Sequence, residues 1–154
     1  KEINYTKAFL LLQKERFGDN LHYSIELEDS ITNVAVPKML VQPIIENYFK
    51  HGFDSREGIG SISIECIKEG KHLVITVIDN GVGVSDQRLK EIYQHLEKGN
   101  LTRNEEESNI GLKNVYIRLK LYYEERASLE LLNLENGGFA VKIKLPISEE
   151  DEKK

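Results

Sequence analysis

Residues 61–83, SISIECIKEGKHLVITVIDNGVG, decide the fold class of this chain. Apolar and polar residues alternate on both sides of KEGK, which is typical of a β-hairpin with strands at 61–67 and 73–78. The second strand then runs into Asp79, Asn80 and two glycines instead of an ordinary turn. An Asn-Gly turn that merely reverses the chain explains this ending as well as a ligand site does.

A second hairpin closes the chain, because residues 129–134 and 139–145 alternate around ENGG. Residues 22–27 predict a further strand. Helical periodicity predicts four helices: one that ends at Gly18 with its apolar face at Tyr5, Ala8, Phe9 and Leu12, one from Pro37 to about His51, one at 87–98 and one at 112–123. Since hairpins make antiparallel neighbours, we predict an α+β two-layer sandwich: a mixed, mainly antiparallel sheet with helices on one face.

The 154 residues suit one domain at 19–147, preceded by a helix at 1–18 and followed by a disordered tail at 148–154. The net charge of −5 argues against nucleic acid or an anionic lipid surface as the main partner. No apolar run approaches the roughly 20 residues that span a bilayer. Cys66 is the only cysteine, which excludes an internal disulfide and is expected to be a small buried hydrophobe on a strand.

Three segments carry polar side chains that suit a nucleotide. Asn47, Lys50 and His51 follow helical spacing beside an apolar stripe, so a carboxamide oxygen, an ammonium and an imidazole would converge, which suits Mg²⁺ and phosphate oxygens. Taken alone, this segment is explained more simply by a solvated helix end.

Asp79 is the candidate for base recognition. A carboxylate only accepts hydrogen bonds, so it would pair with the exocyclic amine of adenine, whereas guanine offers a carbonyl there. Gly81 and Gly83 lack a β-carbon and let backbone and ligand approach closely.

The third segment is SNIGLKNV, where a polar loop meets a helix. The first N–H groups of a helix have no internal partner, which makes Gly111 and Leu112 a candidate phosphate cradle, with Asn114 one turn further as a side-chain donor. A glycine that simply begins a helix explains this segment as well.

The order N-x-x-K-H-G, D-x-G-x-G, polar loop, I-G-L-x-N-V resembles the three nucleotide-binding boxes of the GHKL ATPase superfamily (HATPase_c domains). VPKMLVQPIIENYFKHG, VIDNGVGV and IGLKNVYIRLKLYY are most similar to the ATP-binding catalytic domain of bacterial sensor histidine kinases of the LytS/YesM type. The resemblance covers residues 5–146 and implies the Bergerat ATP-binding fold.

The resemblance also implies roles for individual residues. Asn47 would coordinate the Mg²⁺ that bridges the ATP phosphates, Lys50 would contact phosphate, and His51 with Gly52 would line the ribose and phosphate side. Asp79 would bind the adenine amine, and Gly81, Gly83 and Val84 would shape the base pocket. Residues 94–109 would form the ATP lid, with Gly111, Leu112 and Asn114 at its phosphate end.

Two positions depart from the family, which often has glycine at Asn109 and alanine at Tyr48. Hydrolytic members carry a glutamate four residues before the first-box asparagine, but Pro43 stands there and Glu46 points about 100° away around the helix. The sequence therefore favours phosphoryl transfer to a histidine over hydrolysis of ATP.

The implied protein is a two-component histidine kinase, a transferase whose acceptor histidine precedes residue 1 on a dimerisation domain. The helix at 1–18 would link this chain to that upstream domain. The fragment would be the cytoplasmic part of a membrane-anchored sensor and would bind ATP without transferring phosphate efficiently. Its partners would be ATP, that upstream domain and a response regulator, in a homodimer. Alternatives are a nucleotide-binding regulatory or interaction module of the same fold and a GHKL ATPase that is not a kinase.

Overall fold

A computed structural model describes residues 2–53, 58–97, 107–135 and 137–152. The sheet has five strands in the order β1-β2-β3-β5-β4. Their bounds are β1 Leu21–Leu27, β2 Gly60–Glu69, β3 His72–Asp79, β4 Ser128–Asn133 and β5 Phe139–Pro146. β1 pairs with β2 in parallel and all other pairs are antiparallel, which confirms the predicted mixed, mainly antiparallel sheet and both hairpins.

The helices are α1 Glu2–Phe17, α2 Gln42–Asn47, α3 Asp86–Glu97, α4 Glu107–Tyr123 and α5 Glu149–Glu152, and a π-helical turn, Tyr48–Phe53, continues α2. α4 packs against α2 and α3, while α1 packs against β1 and α2. None of these helices is long and apolar enough to cross a bilayer.

One face of the sheet forms the core. Four buried side chains lie side by side in a row across four strands: Ile64, Val77, Val141 and Leu131. Because side chains alternate along a strand, Asp79 follows Val77 onto this same face, between its partners Ile62 and Phe139. The carboxylate therefore stands at the end of the core face, under the helices, instead of on the outer face of the sheet.

Cys66 is buried in β2, as the sequence predicted. Burial among apolar side chains raises the pKa of its thiol to about 11, with a smaller contribution from the charge of Glu65.

The packed face of α1 differs from the predicted one. Tyr5 and Leu12 are 71% and 64% exposed, whereas Leu10 is fully buried and Phe17 packs on Phe53 with ring centroids 4.5 Å apart. The stripe predicted from periodicity is therefore wrong for most of its members, and only Phe9 among them packs against the core. Periodicity alone did not identify the packed face, because this helix carries apolar residues on both sides.

The start of α2 was also predicted wrongly. Pro37 lies in irregular chain before the helix, and the proline in the first turn of the helix is Pro43. The cause is Glu2, whose buried carboxylate accepts hydrogen bonds from the main-chain N–H groups of Met39 (3.0 Å), Val41 (3.0 Å) and Gln42 (3.3 Å). Those donors have no partner inside the helix, so a side chain from α1 caps α2 across about 40 residues of sequence.

Two further boundaries differ from expectation. α4 begins at Glu107, four residues before Gly111, and residues 94–97 of the predicted lid belong to α3. Residues 98–106 of that lid lie outside the described residues. The tail expected to be disordered includes the one-turn helix α5.

Side chains cover one position on each outer edge of the sheet. The Tyr93 hydroxyl of α3 accepts a hydrogen bond from the Leu131 N–H (2.8 Å) and donates one to the Leu131 carbonyl (3.2 Å) on β4. At the β1 edge, the Lys14 ammonium donates to the Leu21 carbonyl at 2.6 Å. Each bond satisfies main-chain groups that an edge strand otherwise presents to solvent.

Candidate functional site

Asp79 ends β3, and the chain turns immediately after it. Its Oδ1 atom accepts a hydrogen bond from the Gly81 N–H at 2.8 Å, which closes an Asx turn. The side chain is half-buried and Gly81 is buried. A carboxylate is thus held in a defined orientation at the rim of the core.

Asn133 of β4 ties the rest of this loop to the sheet. The Val84 N–H donates to Asn133 Oδ1 at 3.0 Å, and Asn133 Nδ2 donates to the Val84 carbonyl. Gly83, which precedes Val84, has φ +68°. A β-carbon at this residue would lie 3.0 Å from both Asn133 Oδ1 and the Gly138 carbonyl oxygen. Glycine is therefore favoured at residue 83 for two reasons: the backbone has a positive φ, and Asn133 and Gly138 approach it closely.

Gly138 supports Asp79 from the turn between β4 and β5. It has φ +107°, and a β-carbon there would lie 2.3 Å from the Asp79 carbonyl oxygen. Sequence reasoning missed Asn133 and Gly138, because their link to the loop exists only once β5 is paired with β3. The ENGG turn was the only signal, and it indicated a hairpin.

Asn80 connects the loop to α2. Its Oδ1 atom accepts hydrogen bonds from the Ser61 N–H at 2.8 Å and from the Tyr48 hydroxyl at 3.1 Å, and its Nδ2 donates to the Ile59 carbonyl at 2.9 Å. Since Tyr48 follows Asn47 and Asn80 follows Asp79, this contact brings the first two predicted boxes into one region.

Asn47 and Gly111 meet where α2 packs against α4. A β-carbon at residue 111 would lie 3.3 Å from Asn47 Oδ1, 3.5 Å from Asn47 Nδ2 and 3.4 Å from the Pro43 carbonyl oxygen. Glycine here lets the carboxamide of Asn47 lie against the backbone of α4. The first and third predicted boxes are therefore in contact.

Lys50, His51 and Gly52 lie in the π-helical turn that begins directly after Asn47. The α-helical spacing that predicted convergence of Asn47, Lys50 and His51 does not apply across this turn, because a π-turn has more residues per turn. Lys50 is exposed. Short π-helical turns within helices occur frequently at functional sites.

Gly111 and Leu112 do not begin a helix in this structure. The first-turn N–H groups of α4 belong to residues 107–110, so the reason given for a cradle at Gly111 and Leu112 does not hold in this conformation. Leu112 is buried in the core and Asn114 is exposed. Sequence reasoning passed over Lys113, which is only 1% exposed although a lysine on a helix is ordinarily solvated.

Comparison with known proteins identifies a family. The family described as histidine kinase-, DNA gyrase B- and HSP90-like ATPase (HATPase_c) matches residues 33–149. The sensor protein kinase HptS of Staphylococcus aureus strain USA300 is 28% identical over 148 residues, which are 96% of this chain and 27% of that protein. The chain thus spans about a quarter of the curated relatives it matches.

Solved structures match the whole fold. The nucleotide-free catalytic domain of histidine kinase ThkA has a TM-score of 0.64 at 14% identity, over 98% of this chain and 96% of that one. The mycobacterial sensor histidine kinase MprB has a TM-score of 0.62 at 14% identity, over 96% and 95%. Full-length ShkA in complex with AMPPNP has a TM-score of 0.62 at 12% identity, over 92% of this chain and 29% of that one. These likenesses confirm the predicted fold class.

Proposed function

We propose, from the premise that the chain belongs to the histidine kinase-, DNA gyrase B- and HSP90-like ATPase family, that it is the ATP-binding catalytic domain of a sensor histidine kinase. It binds Mg·ATP, and the γ-phosphoryl group is transferred to a histidine of an upstream dimerisation domain. The observation that carries this proposal is the junction of three separate segments: Tyr48 bonds to Asn80 beside Asp79, and Gly111 abuts Asn47.

The base would be recognised by Asp79. Its carboxylate accepts the Gly81 N–H and, being acceptor-only, selects a ligand that presents a donor. The exocyclic amine of adenine is such a donor, whereas guanine presents a carbonyl oxygen. Gly81, Gly83 and Val84 follow in the loop that Asn133 holds, so a planar base would meet a backbone surface with few side chains.

The phosphates would lie on the α2 and α4 side. Asn47 supplies a carboxamide oxygen, and Mg²⁺ takes oxygen ligands while keeping waters and substrate phosphates, so one protein ligand fits. Among the described residues no group of three His, Cys, Asp or Glu side chains forms another metal site. Mg²⁺ bound there would neutralise phosphate charge. Lys50, His51, Gly52, Gly111, Leu112 and Asn114 complete the proposed phosphate and ribose side.

Transfer to histidine is favoured over hydrolysis by what surrounds Asn47. Pro43 is buried at the start of α2 and has no proton-accepting side chain. Glu46 accepts a hydrogen bond from the Gln42 side chain one turn earlier, at 3.3 Å, and so is engaged along α2. With no base for water at Pro43 or Glu46, catalysis would rest on positioning the γ-phosphoryl group and on neutralising its charge.

The remaining features of the proposal concern the longer protein. A sensor of the LytS/YesM type would supply a membrane anchor, the acceptor histidine and the dimer contacts, and a response regulator would receive the phosphoryl group. This chain is then a cytoplasmic domain that binds ATP. Incubating it with γ-labelled ATP tests the division of roles: we expect no stable self-labelling, and a phosphorylated product would contradict it.

Calorimetric titration of Mg·ATP, Mg·ADP and Mg·GTP tests the site. We expect ATP to bind about 5- to 150-fold more tightly than GTP, since an unpaired buried polar group at the base costs about 1–3 kcal/mol. Asp79→Asn should remove most of this preference, and Asn47→Ala should weaken ATP while the preference persists. Equal affinities for ATP and GTP, or binding unchanged in both variants, would contradict the proposal.

A further inference from the structure

Tyr48 follows Asn47 as the first residue of the π-helical turn, and it is 3% exposed. Its ring packs against Phe49 and Phe53, with centroids 5.1 Å and 5.9 Å away. Its hydroxyl reaches out of this aromatic cluster to donate to Asn80 Oδ1 at 3.1 Å. The ring is thus accounted for by packing, whereas the hydroxyl makes a specific bond to the residue after Asp79.

Asn80 connects the Tyr48 hydroxyl to the backbone at the start of β2. Its side chain also binds the Ser61 N–H and the Ile59 carbonyl, and its own N–H donates to the Ser61 carbonyl at 3.1 Å. Asn80 is therefore fixed relative to the start of β2, and Asp79 is fixed with it through the peptide bond. The Tyr48 hydroxyl adds the connection from this network to α2.

Gly60 shows that the chain accommodates this arrangement. A β-carbon at residue 60 would lie 2.6 Å from the Tyr48 hydroxyl oxygen and 2.1 Å from the Phe53 ring. Any other residue there would require the Phe53 ring and the Tyr48 hydroxyl to shift. The start of β2 therefore leaves the space that the tyrosine occupies.

We propose that Tyr48 is a positioning residue that couples Asn47 on the phosphate side to Asp79 on the base side, so that affinity and adenine selectivity depend on its hydroxyl. The inference rests on the proposed function. Tyr48 touches neither base nor phosphate in this scheme. It sets the distance and orientation between Asn47 and Asp79. One ATP molecule can contact both side chains only when that distance and orientation match the nucleotide.

The test uses Tyr48→Phe, which keeps the ring and removes one hydroxyl. Its matched control is Tyr93→Phe, which removes a half-buried hydroxyl that bonds the Leu131 backbone. Asp79→Asn is included as the report on the base site itself. Calorimetry at a temperature well below the unfolding midpoint gives the dissociation constants of Mg·ATP and Mg·GTP. Urea unfolding gives the stability of each variant.

We expect Tyr48→Phe to weaken ATP binding about three- to tenfold, the range of one lost hydrogen bond, and to reduce the ratio of ATP to GTP affinity. Tyr93→Phe should lose comparable stability with both affinities unchanged. Unchanged affinity and ratio in Tyr48→Phe overturn the inference, and so does an equal loss in Tyr93→Phe, which indicates a general stability effect. If Asp79→Asn binds both nucleotides like the unaltered chain, the proposed function itself fails; if only Tyr48→Phe is silent, the inference alone fails.

Discussion

The loop of residues 79–84 and the junction of Asn47 with Gly111 are held by different means. Polar side chains brace the loop against main-chain groups: Asp79 on Gly81, and Asn133 on Val84. At the junction, the absence of a side chain at Gly111 admits the Asn47 carboxamide. Several hydrogen bonds therefore hold the proposed base side. At the proposed phosphate side, the Asn47 carboxamide needs the space that a methyl group at residue 111 would occupy.

The largest expected effect is on the loop. Gly138→Ala places a β-carbon 2.3 Å from the Asp79 carbonyl oxygen at φ +107°, so the backbone of the loop must move. Strain and overpacking together should lower the free energy of unfolding by about 3 kcal/mol and abolish measurable ATP binding. Urea unfolding and calorimetry measure both.

Gly70→Ala is the matched control for Gly138→Ala, because Gly70 also has a positive φ, +62°, but no atom of the described residues lies within 4 Å of the added carbon. It should cost about 1 kcal/mol and leave ATP binding intact. Equal costs in the two variants would show that the contact with Asp79 is unimportant and that the loop is not braced there.

The next effect concerns the helix that supplies the junction. Glu2→Ala leaves the N–H groups of Met39, Val41 and Gln42 without their carboxylate, which should cost about 2–3 kcal/mol in urea unfolding. Glu28→Ala is the control, since that exposed carboxylate also accepts a main-chain N–H, from Lys68 at 2.9 Å. It should cost clearly less than Glu2→Ala, because solvent screens the exposed carboxylate. A reversed order would mean that α1 does not hold α2.

A smaller effect, with opposite signs in two measurements, is expected at Gly111. Alanine inside a helix stabilises it by about 0.5–1 kcal/mol relative to glycine, so Gly111→Ala should not lower stability, although the site is tight. The new methyl group, 3.3 Å from Asn47 Oδ1, should nevertheless weaken ATP binding about threefold. In an Asn47→Ala background the methyl group has no carboxamide to crowd, so the further loss should vanish; a persistent loss would place the effect elsewhere.

The smallest effect is expected at Asn114. Its side chain is exposed on α4, whereas Asn47 is half-buried against Gly111. Asn114→Ala should therefore weaken Mg·ATP by about twofold, against at least tenfold for Asn47→Ala, in the same calorimetric titration. Comparable losses would indicate that α4 reorients when nucleotide binds and that the phosphate side is larger than the junction.

Local signals predicted the sheet correctly. Both hairpins followed from alternation around glycine-containing turns, and the end of β3 at Asp79 lies one residue from the predicted boundary. The family and the fold class were also predicted correctly. These features depend on residues close together in the chain, where period and turn chemistry determine the structure.

The features that sequence reasoning missed are contacts between distant segments. α2 begins where the Glu2 carboxylate of α1 caps it, and the sequence around Pro37 gives no sign of that distant contact. Tyr48 was noted only as a departure from alanine, and its bond to Asn80 became visible when α2 and β3 were brought together. The convergence of Lys50 and His51 was inferred from α-helical spacing, which the π-helical turn changes. The roles of the individual site residues stay predictions.

The Tyr93 hydroxyl and the Lys14 ammonium have a consequence for self-association. An open five-stranded sheet has two outer strands, and each is a template on which another copy of the chain can add a strand. Here Leu131 on one edge and the Leu21 carbonyl on the other are already bonded within the same chain. A second molecule would have to displace these side chains before it paired there, so the two contacts hinder edge-to-edge strand addition at these positions.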